Sequence, residues 1–380
     1  MILPSPKRAL GAFALLLAVA TITAACSGSH TNSANAISKH GKISRAGNFN
    51  AATVRFFAAD SPWNTRIDSA QVDPRSATMM QLAHERIGVL ERPGNLPPLV
   101  ERRVDNSGLY INTTSWTTPV VTGGVETKLV CRQTSCGDKI PNNELQVPAD
   151  ISPDPRYDGW FTIIDTDGKY AYDLWRGRRE SNDSISYQFA RRWALDGPGF
   201  SAPQIVGARG SGLPLFGGLI RPSELIAGRI DHALAISVPG PAEKYFVPPA
   251  SSTDGNGELG SLPEGARIRL KDNVTLRQGR DPMTGALIPL TAQQRRTADA
   301  IVAALRMYGA IVVDRAAVPT LYAQRDVSDT LIGNELQGLT LDDFEVVTMP
   351  KEQVYPAPAA AAGLSSSTNS ATAGTSGGAQ

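Results

Sequence analysis

The chain has 380 residues, 41% of them hydrophobic and 19% charged, with 37 Lys and Arg against 36 Asp and Glu. That length supports one large core or two modest ones. A formal net charge of +1 supplies no general field for nucleic acid or anionic lipid, and no nucleic-acid partner is expected.

The N-terminus carries an address. Lys7 and Arg8 precede an unbroken run of apolar and small residues at 10–20, which is too short for a comfortable membrane span. Thr23, Ala24 and Ala25 then lead directly into Cys26. Small residues followed by cysteine resemble a bacterial lipobox, which implies cleavage before Cys26, lipidation of its thiol and attachment to the membrane through that lipid alone. Thr23 stands where leucine is usual, with Ile22 one position further out. An ordinary secretory cleavage site beside an incidental cysteine is the alternative, and either way the mature protein is exported. Residues 1–25 are thus read as a signal peptide and 26–50, rich in Ser, Asn, Gly and Lys, as a flexible tether. Residues 355–380, almost wholly Ala, Ser, Thr, Gly and Pro, are read as a disordered tail.

Residues 51–354 hold the folding information. Residues 54–57 read as a short strand and 60–64 as a turn that buries Trp63. Residues 76–88 read as a helix with Ser76 as N-cap and Met79, Met80, Leu82, Ala83 and Ile87 around one side. Residues 109–121 and 127–131 are rich in β-branched residues and read as strands. Cys131 and Cys136 follow, and an oxidising compartment would let them close a small disulfide loop. Their C-x4-C spacing has no second pair and no nearby histidine, which argues against zinc.

Residues 159–165 and 169–176 flank Asp165-Thr166-Asp167-Gly168, whose Asp-Gly pair predicts a tight hairpin turn. The same four residues resemble the opening of a calcium loop, but the later glutamate ligand is missing. Residues 185–193 read as the next strand. Period-two alternation places Ala171, Asp173 and Trp175 on one side and Tyr170, Tyr172 and Leu174 on the other. On the partner strand, Gln188, Ala190 and Arg192 oppose Tyr187, Phe189, Arg191 and Trp193.

Residues 207–239 form the most patterned stretch. Gly207, Gly210, Gly212, Gly217 and Gly218 allow close backbone approach. Arg221 and Pro222 open a short helical turn that Gly228 closes, and residues 231–238 alternate as a strand containing His232. Further on, Asp254, Asn256 and Glu258 in the polar loop 252–260 suggest a cation site, but a solvated turn is the first reading. Residues 266–270 form a strand. Residues 291–308 are the longest helix, capped by Thr291 and stopped by Gly309. Residues 310–313 and 320–324 read as a strand pair. Many short strands with two or so peripheral helices predict a mainly β single domain, sandwich-like or jelly-roll-like.

The motifs at 60–64 (DSPWN), 172–175 (YDLW), 212–220 (GLPLFGGLI) and 231–234 (DHAL), with Tyr308-Gly309, resemble an exported family of high-GC Gram-positive soil bacteria. The likeness spans nearly the whole folded region. It implies a shared fold and assigns no role to any residue. The family commonly carries glutamate where this chain has Asp173.

Familiar catalytic signatures are absent. The serine in Gly210-Ser211-Gly212 has Arg209 two before it and Leu213 two after, which is not a nucleophile elbow. No His pair sits at metal spacing, so no metal or cofactor is expected. The remaining expectation is a groove in which Asp173, Trp175, Gln188 and Arg192 share the polar side of neighbouring strands. Such a surface suits polysaccharide or a cell-wall glycan, because sugar C–H faces pack on indole while hydroxyls and uronates need oriented donors. In a lyase, Arg192 and Gln188 would neutralise a uronate while His232 or Tyr187 took the proton. In a glycoside hydrolase, Asp173 and Asp231 would be the carboxylate pair. Two readings compete with these: a non-catalytic envelope protein that binds a wall glycan or a protein partner, and a His232 that merely pins the glycine-rich wall by hydrogen bonds.

Overall fold

Where apolar residues run unbroken the chain forms buried strands, and where they recur every three to four residues it forms helices. The computed structural model describes residues 54–90, 99–100, 108–325, 327 and 330–358, which fall within one compact, mainly β unit. The signal segment, the tether with Cys26, and the tail beyond residue 358 lie outside the described residues.

The largest sheet has six strands in the order Phe344–Val346, Arg267–Leu270, Ala310–Arg315, Leu234–Val238, Thr320–Tyr322 and Tyr110–Asn112. Its two central strands, Ala310–Arg315 and Leu234–Val238, run parallel. They are buried along nearly their whole length, as expected for apolar runs covered on both faces. Helix Ala292–Met307 covers the Arg267–Leu270 region with Ala298, Ile301, Val302 and Leu305, each of them buried. Thr291 caps it as predicted: its hydroxyl accepts the N–H of Gln294 at 3.2 Å, and Gln294 Oε1 accepts the N–H of Thr291 at 2.9 Å. The short helix Pro222–Ala227 ends, also as predicted, on Gly228 in the left-handed region.

Two four-stranded sheets complete the core. One has the order Phe189–Ala194, Tyr170–Trp175, Phe161–Ile164 and Val120–Thr122, and contains the predicted hairpin. The other has the order Glu144–Val147, Val125–Cys131, Ile185–Tyr187 and Arg178–Arg179. The expected disulfide joins Cys131 to Cys136. No described helix is long and apolar enough to cross a membrane.

Several local expectations are corrected. The strand expected over 185–193 breaks at Gln188, and its halves join different sheets: Ile185–Tyr187 runs parallel to Val125–Cys131, Phe189–Ala194 antiparallel to Tyr170–Trp175. The strands at 310–315 and 320–322 do not pair, because Leu234–Val238 lies between them. That strand starts at Leu234, so Asp231 and His232 belong to its lead-in. Ser76 is inside its helix rather than capping it, and its hydroxyl accepts the N–H of Val346 at 2.8 Å. Residues 54–57 form no strand, and Phe57 takes a left-handed φ of 68°.

Candidate functional site

Asp173 does not open into a groove. It is 0% exposed, and three donors surround it: Thr162 Oγ1 at 2.6 Å, Trp193 Nε1 at 2.8 Å and the Leu215 N–H at 2.7 Å. Burial pushes its carboxyl up to about 6, against the pull of those hydrogen bonds. The strand register separates it from Arg192. Asp173 lies opposite Arg191, whereas Arg192 lies opposite Tyr172 and so points to the other side of the sheet. There Arg192 packs its guanidinium over the Tyr170 ring at 4.8 Å. Tyr187 is buried with Leu129 and Ile185 in the core of the smaller sheets. The hollow expected to hold Asp173, Arg192 and His232 together is therefore not formed.

His232 and Asp231 line a separate pocket of about 390 Å³, walled by Phe56, Trp63 and Phe216. Its shape depends on Gly218, which has φ +73°; a Cβ there would sit 2.5 Å from the Ala235 nitrogen and 2.6 Å from Trp63 Cζ3. His232 Nδ1 faces the Ala233 carbonyl at 2.9 Å and Nε2 faces Glu224 Oε1 at 2.9 Å, so neither nitrogen offers a free lone pair to the pocket. Arg221 holds the same glutamate at 2.6 Å. Burial alone would raise Glu224, but His232 and Arg221 outweigh it and hold the carboxyl at about 2. Asp231 pairs with Arg229 at 2.7 Å. His232 is thus satisfied by structural partners, Glu224 and the Ala233 carbonyl, rather than by the glycine-rich wall itself.

Trp175 and Gln188 do line an open cleft. They line a cleft of about 970 Å³ together with Trp116, Trp160, Arg209 and Tyr322. Trp175 is fixed in place: its indole N–H donates to Asp158 Oδ2 at 3.3 Å, and Arg176 covers its ring at 4.9 Å. Trp116 is 47% exposed and holds a left-handed φ of 53°. Such strain in a bulky residue is kept where the surroundings enforce it, and Tyr157 packs edge-on against the ring at 5.7 Å. Arg209 is buried between the rings of Trp160 and Tyr322, at 5.3 and 5.1 Å, and donates from Nη2 to the Leu215 carbonyl at 3.2 Å. Its Nε and Nη1, and the indole nitrogen of Trp160, have no protein acceptor.

An acidic group that sequence reasoning missed sits beside this aromatic wall. Asp254 and Asp314 line the cleft, and with Glu264 they bring one carboxylate oxygen each within 4.8 Å of one another. Asp314 is aimed by a β-bulge: opposite Ile236 and Ser237 the partner strand offers Val312 and Asp314, with Val313 as the extra residue. Burial, then repulsion from Asp254, raise the Asp314 carboxyl. Glu264 is raised by burial and by both neighbours. Asp254 can approach only because residue 210 is glycine, since a Cβ there would lie 2.0 Å from Asp254 Oδ1. Arg315 pairs with Asp254 at 3.2 Å.

Comparisons with protein-family models, curated proteins and solved structures give no match. The functional reading therefore rests on the geometry of the cleft. The cleft presents the rings of Trp116 and Trp175 and the amide of Gln188, while the unpaired nitrogens of Arg209 and Trp160 are themselves buried.

Proposed function

We propose that this is an exported, lipid-anchored protein that engages an extended polysaccharide in the tryptophan-walled cleft, with the acidic floor as the place where the glycan would be acted on. One observation carries the reading: Trp116, Trp160 and Trp175 line a single cleft of about 970 Å³ that also holds a buried guanidinium with unclaimed donors. A sugar ring stacked on indole removes enough apolar surface to contribute roughly 1–2 kcal/mol at about 25 cal/mol per Å². Loss of one platform therefore weakens binding about 5–30-fold. The export signal and Cys26 complete the proposal by keeping the domain at the cell envelope, where wall glycans lie.

The test is titration of wild type, Trp175→Ala and Trp116→Ala with neutral, uronate-containing and cell-wall polysaccharides. Tryptophan fluorescence reads binding, and release of reducing or unsaturated ends reads turnover. Binding to one class, weakened by both substitutions without loss of fold, supports the reading. Binding without product, in wild type and under every condition, would favour the non-catalytic envelope protein. No binding to any class removes the proposal.

A further inference from the structure

Asp254, Glu264 and Asp314 are brought together from a loop, a Pro-Glu-Gly turn and the bulged end of a central strand. Carboxylates at such range repel, so they either retain protons or are offset by a cation. Glu264 adds a second, distinct observation. Its side chain is 0% exposed and Oε2 accepts the Asp254 N–H at 3.2 Å, yet Oε1 has no hydrogen-bond partner. A buried carboxylate oxygen without a donor is costly, and Glu264 carries one in a side chain grouped with two further carboxylates, an arrangement that a bound cation would relieve.

We propose that Asp254, Glu264 and Asp314 form a divalent-cation site beside the cleft, suited to calcium. The donors are all hard oxygens, with no histidine or cysteine among them, which disfavours zinc and copper. Oxygens within 4.8 Å of one another can all lie at the roughly 2.3–2.6 Å that calcium prefers. Backbone carbonyls, water or ligand hydroxyls from the cleft would fill the remaining positions. Two guanidinium groups already act on the cluster. Arg315 holds Asp254 but is 46% exposed and can swing into solvent; Arg209 acts on Asp314 only through its charge. The loop 252–260 suggested a cation site at Asp254, Asn256 and Glu258, but of these only Asp254 belongs to the cluster. The site stands whatever occupies the cleft.

The experiment uses the full mature chain, stripped with chelator and titrated calorimetrically with calcium, magnesium, manganese and zinc chlorides in turn, with thermal unfolding in parallel. The expected result is one calcium per chain at sub-millimolar affinity, a raised unfolding midpoint and weaker zinc binding. Asp254→Asn, at an exposed position that keeps the fold, and Asp314→Asn each lower calcium affinity by at least about tenfold. Asp167→Asn, in the hairpin turn that resembles the opening of a calcium loop, leaves it unchanged. The proposal is overturned by the absence of calcium binding up to about 10 mM, well past the range of extracellular calcium modules. It is equally overturned if binding survives both Asp254→Asn and Asp314→Asn with unchanged circular dichroism, or if it is lost with Asp167→Asn instead.

Discussion

The carboxylate of Asp173 makes a quantitative case. Its carboxyl titrates near 6 in the fold, raised by burial from an ordinary 3.8. The unfolded chain therefore ionises first, and native stability falls as pH rises from about 4 to about 6. At ~1.4 kcal/mol per tenfold the loss is about 3 kcal/mol, and it stays lost above that window. Asparagine is the neutral isostere. Its oxygen can accept from Trp193 Nε1 and the Leu215 N–H while its amide donates to Thr162 Oγ1, whose hydroxyl can turn to Thr118 Oγ1 at 3.3 Å. Asp173→Asn should thus match wild type near pH 4 and exceed it by up to about 3 kcal/mol at pH 7.5. Asp173→Ala instead strands the indole and amide donors, which costs roughly 2–6 kcal/mol relative to the asparagine variant at every pH. Urea unfolding of the three proteins from pH 4 to 8 measures both differences. A wild-type-minus-Asn difference that is flat with pH, or an alanine variant no weaker than the asparagine one, refutes the assignment.

Glu224 has the opposite sign. Its carboxyl is held at about 2 against an ordinary 4.5, so its contribution is complete above about 4.5 and is lost as pH falls toward 2. Glu224→Gln should cost about 3 kcal/mol at pH 7, with the gap to wild type closing below about pH 4; equal urea midpoints at pH 7 would contradict the Arg221–Glu224–His232 cluster. For the anchor, Cys26→Ser should move the protein from the membrane fraction to the soluble one. A wild type that is already soluble, with an unmodified N-terminal mass, removes the lipid from the account.

Legibility in the sequence followed the range of the interactions. Helix Ala292–Met307 was readable because its cap, its apolar face and its glycine stop all lie within one local window. The hairpin at Asp167-Gly168 was readable for the same reason. The break at Gln188 was not: no glycine or proline marks it, and it arises because Ile185–Tyr187 pairs with a strand some 55 residues earlier. The expected faces failed on register rather than on alternation: Phe189, Arg191 and Trp193, not Gln188, Ala190 and Arg192, share the side of Trp175, Asp173 and Ala171. Asp173, expected on the wall of a groove, is instead enclosed and satisfied by three donors. The acidic cluster left the weakest trace. Glu264 stands between Pro263 and Gly265, where no pattern marks it as buried, and Asp314 falls between two predicted strands. Its one usable signal was position, directly after the apolar run 310–313 in a strand that continues to Arg315.

The stretch 207–239 divides its work between two cavities, and Asp173 is the clamp between them. Arg209 and Gly210 shape the cleft, while Gly218, Glu224 and His232 shape the smaller pocket. Midway, the Leu215 N–H is held by Asp173, and the Leu215 carbonyl accepts from Arg209 Nη2. A two-bond chain thus runs from a buried carboxylate to the guanidinium that faces the proposed glycan. If that chain positions Arg209, Asp173→Ala should weaken polysaccharide binding although Asp173 lines no part of the cleft, whereas Asp173→Asn, which keeps the bond to Leu215, should preserve it. A loss of one hydrogen-bonded support puts the expected weakening at about 5–10-fold. Titration below the unfolding midpoint of both variants separates this effect from stability. Equal affinities in the two folded variants would mean that stacking between Trp160 and Tyr322 alone holds Arg209 in place.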